Sequence, residues 1–219
     1  GRPRGAAAVA LRWPGVPGAG LILAALVSVA SLGTGAQTAP DAGSWTVAEG
    51  DVRVRCRLTV GGAFDAVTSS LSGALRSSAP GVASFSGDLR VDLATLDTGI
   101  GLRNAHLRDN YLEVDRGAEF RHAVLSGIVL EEPLTARAGR GETRFSGALL
   151  LRGVRRKIEG EAELRRRDGR MRVEAVFPLS LDAFGIPPPR YLGIGVRDVV
   201  EVTVEFDATT GAPPPDAGP

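Results

Sequence analysis

The 219-residue chain has one cysteine, Cys56, two histidines and one methionine. A lone cysteine forms no intramolecular disulfide and builds no cysteine zinc site. The fold therefore rests on core burial, which a domain of about 170 residues can supply without covalent staples. His106 and His122 are the only imidazoles, and two of them without a third ligand at a recognisable spacing make no metal motif. His106 with Asp109 and Glu113 is at most a sketch of a site. The chain has no Gly-x-Ser-x-Gly elbow and no phosphate-cradling Gly-Lys-Ser/Thr loop, and Gly99-Ile100-Gly101 lacks the third glycine of a dinucleotide fingerprint. The reading is a protein that is not an enzyme and holds no metal. Lysine is nearly absent too. Lys157 stands alone among arginines in a chain with 29 Gly and 14 Pro, a bias of composition more than a sign of arginine chemistry.

Charge of either sign is also missing in excess. Residues 1–36 carry Arg2, Arg4, Arg12 and no acid, so the rest of the chain is slightly acidic. It has no surplus of cations for gripping nucleic acid. The one long apolar run, Leu21–Leu32, spans about 12 residues against the roughly 20 that cross a bilayer. Arginines, an apolar run and then the small residues Thr34-Gly35-Ala36 predict a signal peptide over 1–36 cleaved after Ala36. An uncleaved anchor helix is the alternative. Residues 37–43 read as a linker, 44–209 as the domain and 210–219 as a disordered Pro-rich tail.

What is present is a period of two. Val52, Val54, Cys56 and Leu58 alternate with Arg53, Arg55, Arg57 and Thr59, the mark of a strand with one wet face. The same pattern places Phe85, Leu89 and Val91 on one face of a second run, and Phe145 and Leu149 on another. Ile158 and Ala162, then Val173, Ala175 and Phe177, then Val200, Val202, Val204 and Phe206 continue it. Two weaker strands are expected at Thr68–Leu75 and Phe120–Leu130. Asp168-Gly169 between two alternating runs is a hairpin signal, and Gly61-Gly62 and Arg152-Gly153 mark further turns. About eight antiparallel strands, each apolar on one face, close into a barrel or a two-sheet sandwich, and alternation does not choose between them. Asn104–Val114 breaks the rhythm with Leu107 and Tyr111 at i, i+4 and Asn104 placed to cap a short helix after the third strand. Asp182–Arg197, with three consecutive prolines, is a second irregular connection. Long connections of this kind build binding mouths.

Val91-Asp92-Leu93-Ala94-Thr95-Leu96-Asp97-Thr98-Gly99, then Arg103-Asn104-Ala105-His106-Leu107-Arg108 and Tyr111-Leu112-Glu113-Val114, resemble the central motif of the YceI-like family of secreted, lipocalin-like lipid-binding proteins. Phe145–Val154 resembles the family's hairpin entry, Phe177–Ile186 its Asp-Phe-Gly-Ile segment and Arg197–Val202 its closing strand. Asn104 stands where the family usually has Asp, Leu112 replaces one aromatic, and the first strand lacks a histidine often found there. The resemblance implies an all-β fold, an eight-stranded antiparallel lipocalin-like barrel with a short helical crossover after the third strand. It implies a periplasmic or secreted carrier whose lumen takes a long isoprenoid lipid, such as a quinone or a polyprenyl phosphate, with no cofactor beyond that bound lipid.

The inward positions Phe85, Leu89, Val91, Phe145, Leu149, Ala162, Ala175, Phe177, Val202 and Val204, with Leu107 and Tyr111 of the crossover, are the expected ligand-binding wall. Inward Ala162, Ala175 and Gly160 either leave room for a tail or relieve strand coiling in a filled barrel. An apolar lumen cannot satisfy a polar head group, so Arg103, His106 and Arg108 in the crossover are expected to meet it. The competing role for this segment is to tie the crossover to the barrel through Arg103 and Asp109. An envelope interaction or stress-response barrel with a filled core and no ligand is the second reading. Arg165-Arg166-Arg167 reads as a solvated strand end, or as a transient contact with anionic membrane lipid. Homodimerisation is left open by the sequence.

Overall fold

The computed structural model describes residues 43–77, 83–132, 139–191 and 194–210. The expected leader, nearly all of the linker and nearly all of the tail lie outside them.

The described residues form eleven strands in chain order: β1 (Ser44–Arg57), β2 (Ala63–Thr68), β3 (Ser72–Ser77), β4 (Ser84–Asp92), β5 (His122–Leu130), β6 (Gly139–Leu151), β7 (Val154–Arg167), β8 (Arg170–Ser180), the two-residue β9 (Arg190–Tyr191) and β10 (Ile194–Gly195), and β11 (Val199–Thr210). Between β4 and β5 lie helix α1 (Gly101–His106), a π-helical turn over Leu107–Leu112 and a one-turn helix α2 (Ala118–Arg121).

All pairings in the main sheet are antiparallel, and β11 pairs with β1, so the sheet closes. β2 and β3 act as one broken stave: β2 pairs with Val52–Arg57 of β1 and β3 with Ser44–Val47. With that pair counted once, the barrel has eight staves, and the helical crossover follows the third. The break at Ser69–Leu71 has a local cause. The Ser70 hydroxyl accepts a hydrogen bond from the Asp92 N–H at 3.0 Å and donates to the Asp92 carbonyl at 3.2 Å, taking the place of strand pairing, while Leu71 turns into the core.

The β6–β7 and β7–β8 turns need two successive residues at positive φ. Arg152-Gly153 (51° and 74°) and Asp168-Gly169 (49° and 75°) supply them, which is the geometry that matches strand twist in a two-residue hairpin. Helix α1 begins at Gly101, three residues before the expected cap. Asn104 sits inside it, and its side-chain oxygen folds back to accept from the Thr98 N–H at 2.8 Å.

The interior divides into two halves. Trp45, Val47, Leu75, Phe85, Ile128, Leu130, Phe145, Leu164, Met171, Val173, Phe206 and Ala208 are all buried and fill the end where β1 begins. Gly160 faces Phe145 across the β6–β7 ladder, and the Phe145 ring meets Phe177 edge-on, centroids 6.0 Å apart and planes at 87°. A Cβ on Gly160 would lie 2.8 Å from the Phe145 ring and 2.4 Å from the Val176 carbonyl oxygen. The space a side chain at Gly160 would need is therefore taken by the Val176 carbonyl, the Phe177 Cβ and the edge of the Phe145 ring. Below them Arg166 turns inward and places its guanidinium 5.1 Å from the Trp45 ring.

One seam interrupts the wall. β7 pairs with β6 from Val154 to Arg166, but with β8 only from Glu161↔Val176 to Arg167↔Arg170. Pro178, two residues past the last pair, has no N–H to continue that ladder. The gap is covered by the 3-10 turn Asp182–Phe184, with Phe184 and Ile186 buried and the Arg156 Nε donating to the Ala183 carbonyl at 3.2 Å.

Candidate functional site

The other half of the barrel is hollow. A cavity of about 820 Å³ opens at the end where β1 finishes and α1 crosses. That is within the range of about 300–1,000 Å³ usual for ligand sites. Its wall follows from the alternation read in the sequence. Val52, Val54 and Cys56 of β1, Leu89 and Val91 of β4, Leu149 and Leu151 of β6, Phe177 and Leu179 of β8, and Val200, Val202 and Val204 of β11 all face it. The floor is where the Phe145–Phe177 pair begins the filled half.

The crossover roofs one side. Leu107, Tyr111 and Leu112 line the cavity from the π-helical turn, Leu102, Arg103 and His106 from α1, and Ile100 from the residue before it. Polar groups on the wall are few: Thr98, Arg103, His106, Asn110, Tyr111 and the Cys56 thiol. Arg103 lies over the face of Phe64, 4.2 Å from its centroid. Burial among these apolar neighbours pushes the Cys56 thiol up to about 11, with the negative charge of Asp65 adding to the rise and Arg103 opposing it.

Ten of the fifteen expected positions meet at this cavity: Leu89, Val91, Arg103, His106, Leu107, Tyr111, Leu149, Phe177, Val202 and Val204. Five do not. Phe85 and Phe145 are buried in the filled half, and Ala162 lies beside them on β7. Ala175 is the cross-strand partner of Ala162 and packs against the same core. Small inward residues here accommodate neighbouring rings and strand backbone, and the tail space expected of them is displaced toward the mouth. Arg108 points its guanidinium toward the Ala94 carbonyl, at 3.4 Å, and is not part of the wall.

Of the two residues expected to tie the crossover to the barrel, Arg103 does so by stacking on Phe64 of β2, while Asp109 forms no ion pair among the described residues; the ionic ties come from Arg152 and Arg121. Arg152, at the β6–β7 turn, donates to Glu113 at 2.8 Å and to the Gly185 carbonyl at 2.6 Å, while Arg116 donates to the same Glu113 carboxylate at 2.6 Å. The Arg116 hydrogen bond and the Arg152 charge hold the Glu113 carboxyl below its ordinary value, against a smaller opposing effect of desolvation. Arg121 reaches Asp92 at 2.9 Å, joining α2 to the end of β4. Burial raises the Asp92 carboxyl, but the Arg121 and Ala94 hydrogen bonds outweigh it and the net displacement is downward. Asp97 is held low by the hydrogen bond from Asn104, at 2.7 Å, and by that from the Gly99 N–H. Asn104 therefore has a structural task at the entrance to α1. Among the described residues no three His, Cys, Asp or Glu side chains come together as a metal cage.

A closed barrel with one filled half and one apolar, open-mouthed half defines the class of lipocalin-like binding barrels. The match to the YceI-like domain over residues 45–208 places the chain within that class: it belongs to the YceI-like family. Among solved structures, the polyisoprenoid-binding domain from Saccharophagus degradans implicated in plant cell wall breakdown is similar, with a TM-score of 0.58 and 16% identity over 76% of this chain and 98% of that one. Burkholderia cenocepacia BcnA is similar with a TM-score of 0.54 and 16% identity, over 72% of this chain and 96% of its own. No curated protein matches the chain.

Proposed function

We propose that the protein is an exported carrier that holds a long isoprenoid lipid, a quinone or a polyprenyl phosphate, in the open half of the barrel. The observation that carries this reading is the 820 Å³ cavity with a nearly continuous aliphatic wall, in a member of a family with a solved polyisoprenoid-binding relative. Burying about 600 Å² of tail at about 25 cal/mol/Å² yields roughly 15 kcal/mol gross. Ordering the tail and losing translational freedom take a large share, leaving submicromolar binding. Arg103 and His106, on the wall beside the mouth, meet the head group where it leaves the apolar tube. The protein performs no chemistry on its cargo, and its site of action is the periplasm or the extracellular medium after removal of residues 1–36.

Displacement of a fluorescent apolar probe tests the reading. Quinones with long isoprenoid tails should displace it with submicromolar midpoints, and quinones with a single isoprene unit should be weaker by at least a hundredfold. Equal potency of long and short tails would overturn it. A wild-type protein that bound no apolar probe would favour the interaction-module reading instead.

A further inference from the structure

We propose that the rim of the cavity mouth is a membrane-docking surface that inserts Val60, Ile100 and Leu102 into the head-group boundary of an anionic bilayer. The inference rests on the carrier reading and adds to it the surface from which cargo is exchanged.

Val60 and Leu102 are the most exposed large apolar side chains among the described residues, at 71% and 69%, and Ile100, two residues before Leu102, is exposed at 49%. All three stand beside the opening, Val60 on a turn, Ile100 just before α1 and Leu102 in its first turn. Ile100 and Leu102 themselves reach the cavity, and Val60 forms the apex of the turn Leu58–Gly62, whose Leu58 also lines it. The positions are held from below. The Thr59 N–H donates to the Gly195 carbonyl at 2.8 Å and the Gly195 N–H to the Thr59 hydroxyl at 3.0 Å, fastening the turn to the β9–β10 side of the mouth. Arg103 stacked on Phe64 fastens α1 to β2. The apolar tips are thus projected outward by a hydrogen-bonded frame beside a cavity that has its own apolar wall. Apolar side chains grouped at one end of a molecule mark an interaction surface.

Charge supplies the second observation. Arg57, Arg103, Arg108 and Arg197 surround the mouth and have no ion-pair partner among the described residues. The acids nearby are mostly engaged: Asp65 by Arg53 and Arg55, Glu113 by Arg116 and Arg152, and Asp97 by Asn104 and the Gly99 N–H. Asp109, Asp115 and Glu119 are exposed acids between β4 and β5 that have no ion-pair partner among the described residues. The arginine triplet at the opposite end offers no such patch, because Arg165 pairs with Glu163 at 2.5 Å, Arg167 with Asp168 at 3.3 Å, and Arg166 is turned onto Trp45. Apolar tips ringed by arginines whose charge no acid among the described residues neutralises match the layered chemistry of an anionic bilayer surface, acyl boundary below and phosphate above. Seated there, the mouth lets an apolar chain pass between bilayer and lumen without crossing water.

Flotation with vesicles of phosphatidylglycerol and phosphatidylethanolamine, against vesicles of phosphatidylcholine alone, tests the surface. Wild-type protein should float with the anionic vesicles. Val60→Glu should reduce the bound fraction at least fivefold while leaving probe binding in vesicle-free buffer unchanged, since Val60 lies outside the cavity wall. Val129→Glu, at the closed end, should float like wild type, and Arg57→Gln with Arg197→Gln should remove the preference for anionic vesicles. Wild-type protein that does not float, or Val60→Glu that floats as well as wild type, overturns the docking surface. Wild-type protein that floats through Val60 but binds no apolar probe supports docking and overturns the carrier reading alone.

Discussion

Phe145 and Gly160 face one another across the β6–β7 ladder, and the phenyl ring occupies the space a side chain on Gly160 would need. This pairing sets the floor of the cavity, because it lets the Phe145 ring stand against Phe177 where the filled half meets the hollow one.

Gly160→Ala should therefore destabilise the barrel. Its Cβ would sit 2.4 Å from a carbonyl oxygen and 2.7 Å from the Phe177 Cβ, neither of which can swing aside as a flexible side chain does. A cost of about 1–3 kcal/mol is expected, seen as a lowered midpoint in urea. An unchanged midpoint would show that the strands separate freely at this seam.

Substitutions in the two halves should have different effects. Ala123 lines the cavity, so Ala123→Phe should weaken apolar-probe binding at least tenfold. Ala162 is buried in the filled half, so Ala162→Phe should lower the melting temperature, at a cost of about 1–3 kcal/mol, without a selective effect on binding. Probe titrations and melting curves on both variants separate the outcomes; a selective binding loss in Ala162→Phe would extend the lumen past the proposed floor.

The contrast between the two alanines marks what the sequence makes legible. Alternation is a local property, so the inward faces of Val52-Val54-Cys56 and Val200-Val202-Val204 can be read residue by residue, and Asp168-Gly169 declares its own turn. Whether an inward alanine borders a cavity or a ring depends on side chains from other strands. The space at Gly160 is closed by Phe145, the Val176 carbonyl and Phe177, 15 to 17 positions away, and no window of sequence contains that fact. The Arg152–Glu113 tie joins residues 39 apart. Arg108 follows the same rule: its residue type suited a head-group contact, and a nearby backbone carbonyl took it.

Cys56 should be slow to alkylate. A thiol raised from 9.0 to about 11 carries about a hundredfold less thiolate at pH 8 than an unperturbed one. Iodoacetamide labelling should be correspondingly slow and should rise with pH toward 11. A long-chain apolar ligand should slow it further, because Cys56 is on the cavity wall. Labelling at the rate of a free thiol, insensitive to ligand, would place Cys56 outside the lumen.

The crossover should loosen in acid. Glu113 and Asp92 have folded values below their ordinary ones, so the stability they lend is complete above the ordinary carboxylate range. It is lost as pH falls below about 4, through the depressed folded values. Amide exchange over Leu102–Leu112, corrected for its intrinsic pH dependence, should rise in that window before the β6–β7 ladder opens. Glu113→Gln should show the loosened crossover already at neutral pH. Exchange that rises together in crossover and ladder would contradict a local tie.

Native mass spectrometry of the protein purified from an isoprenoid-producing bacterium, before and after organic extraction, tests the central claim most directly. The account predicts an adduct with the mass of a polyprenyl species on wild-type protein, removed by extraction and strongly diminished on Ala123→Phe. Protein that carries no adduct as isolated and takes up none from a long-tailed quinone would contradict it.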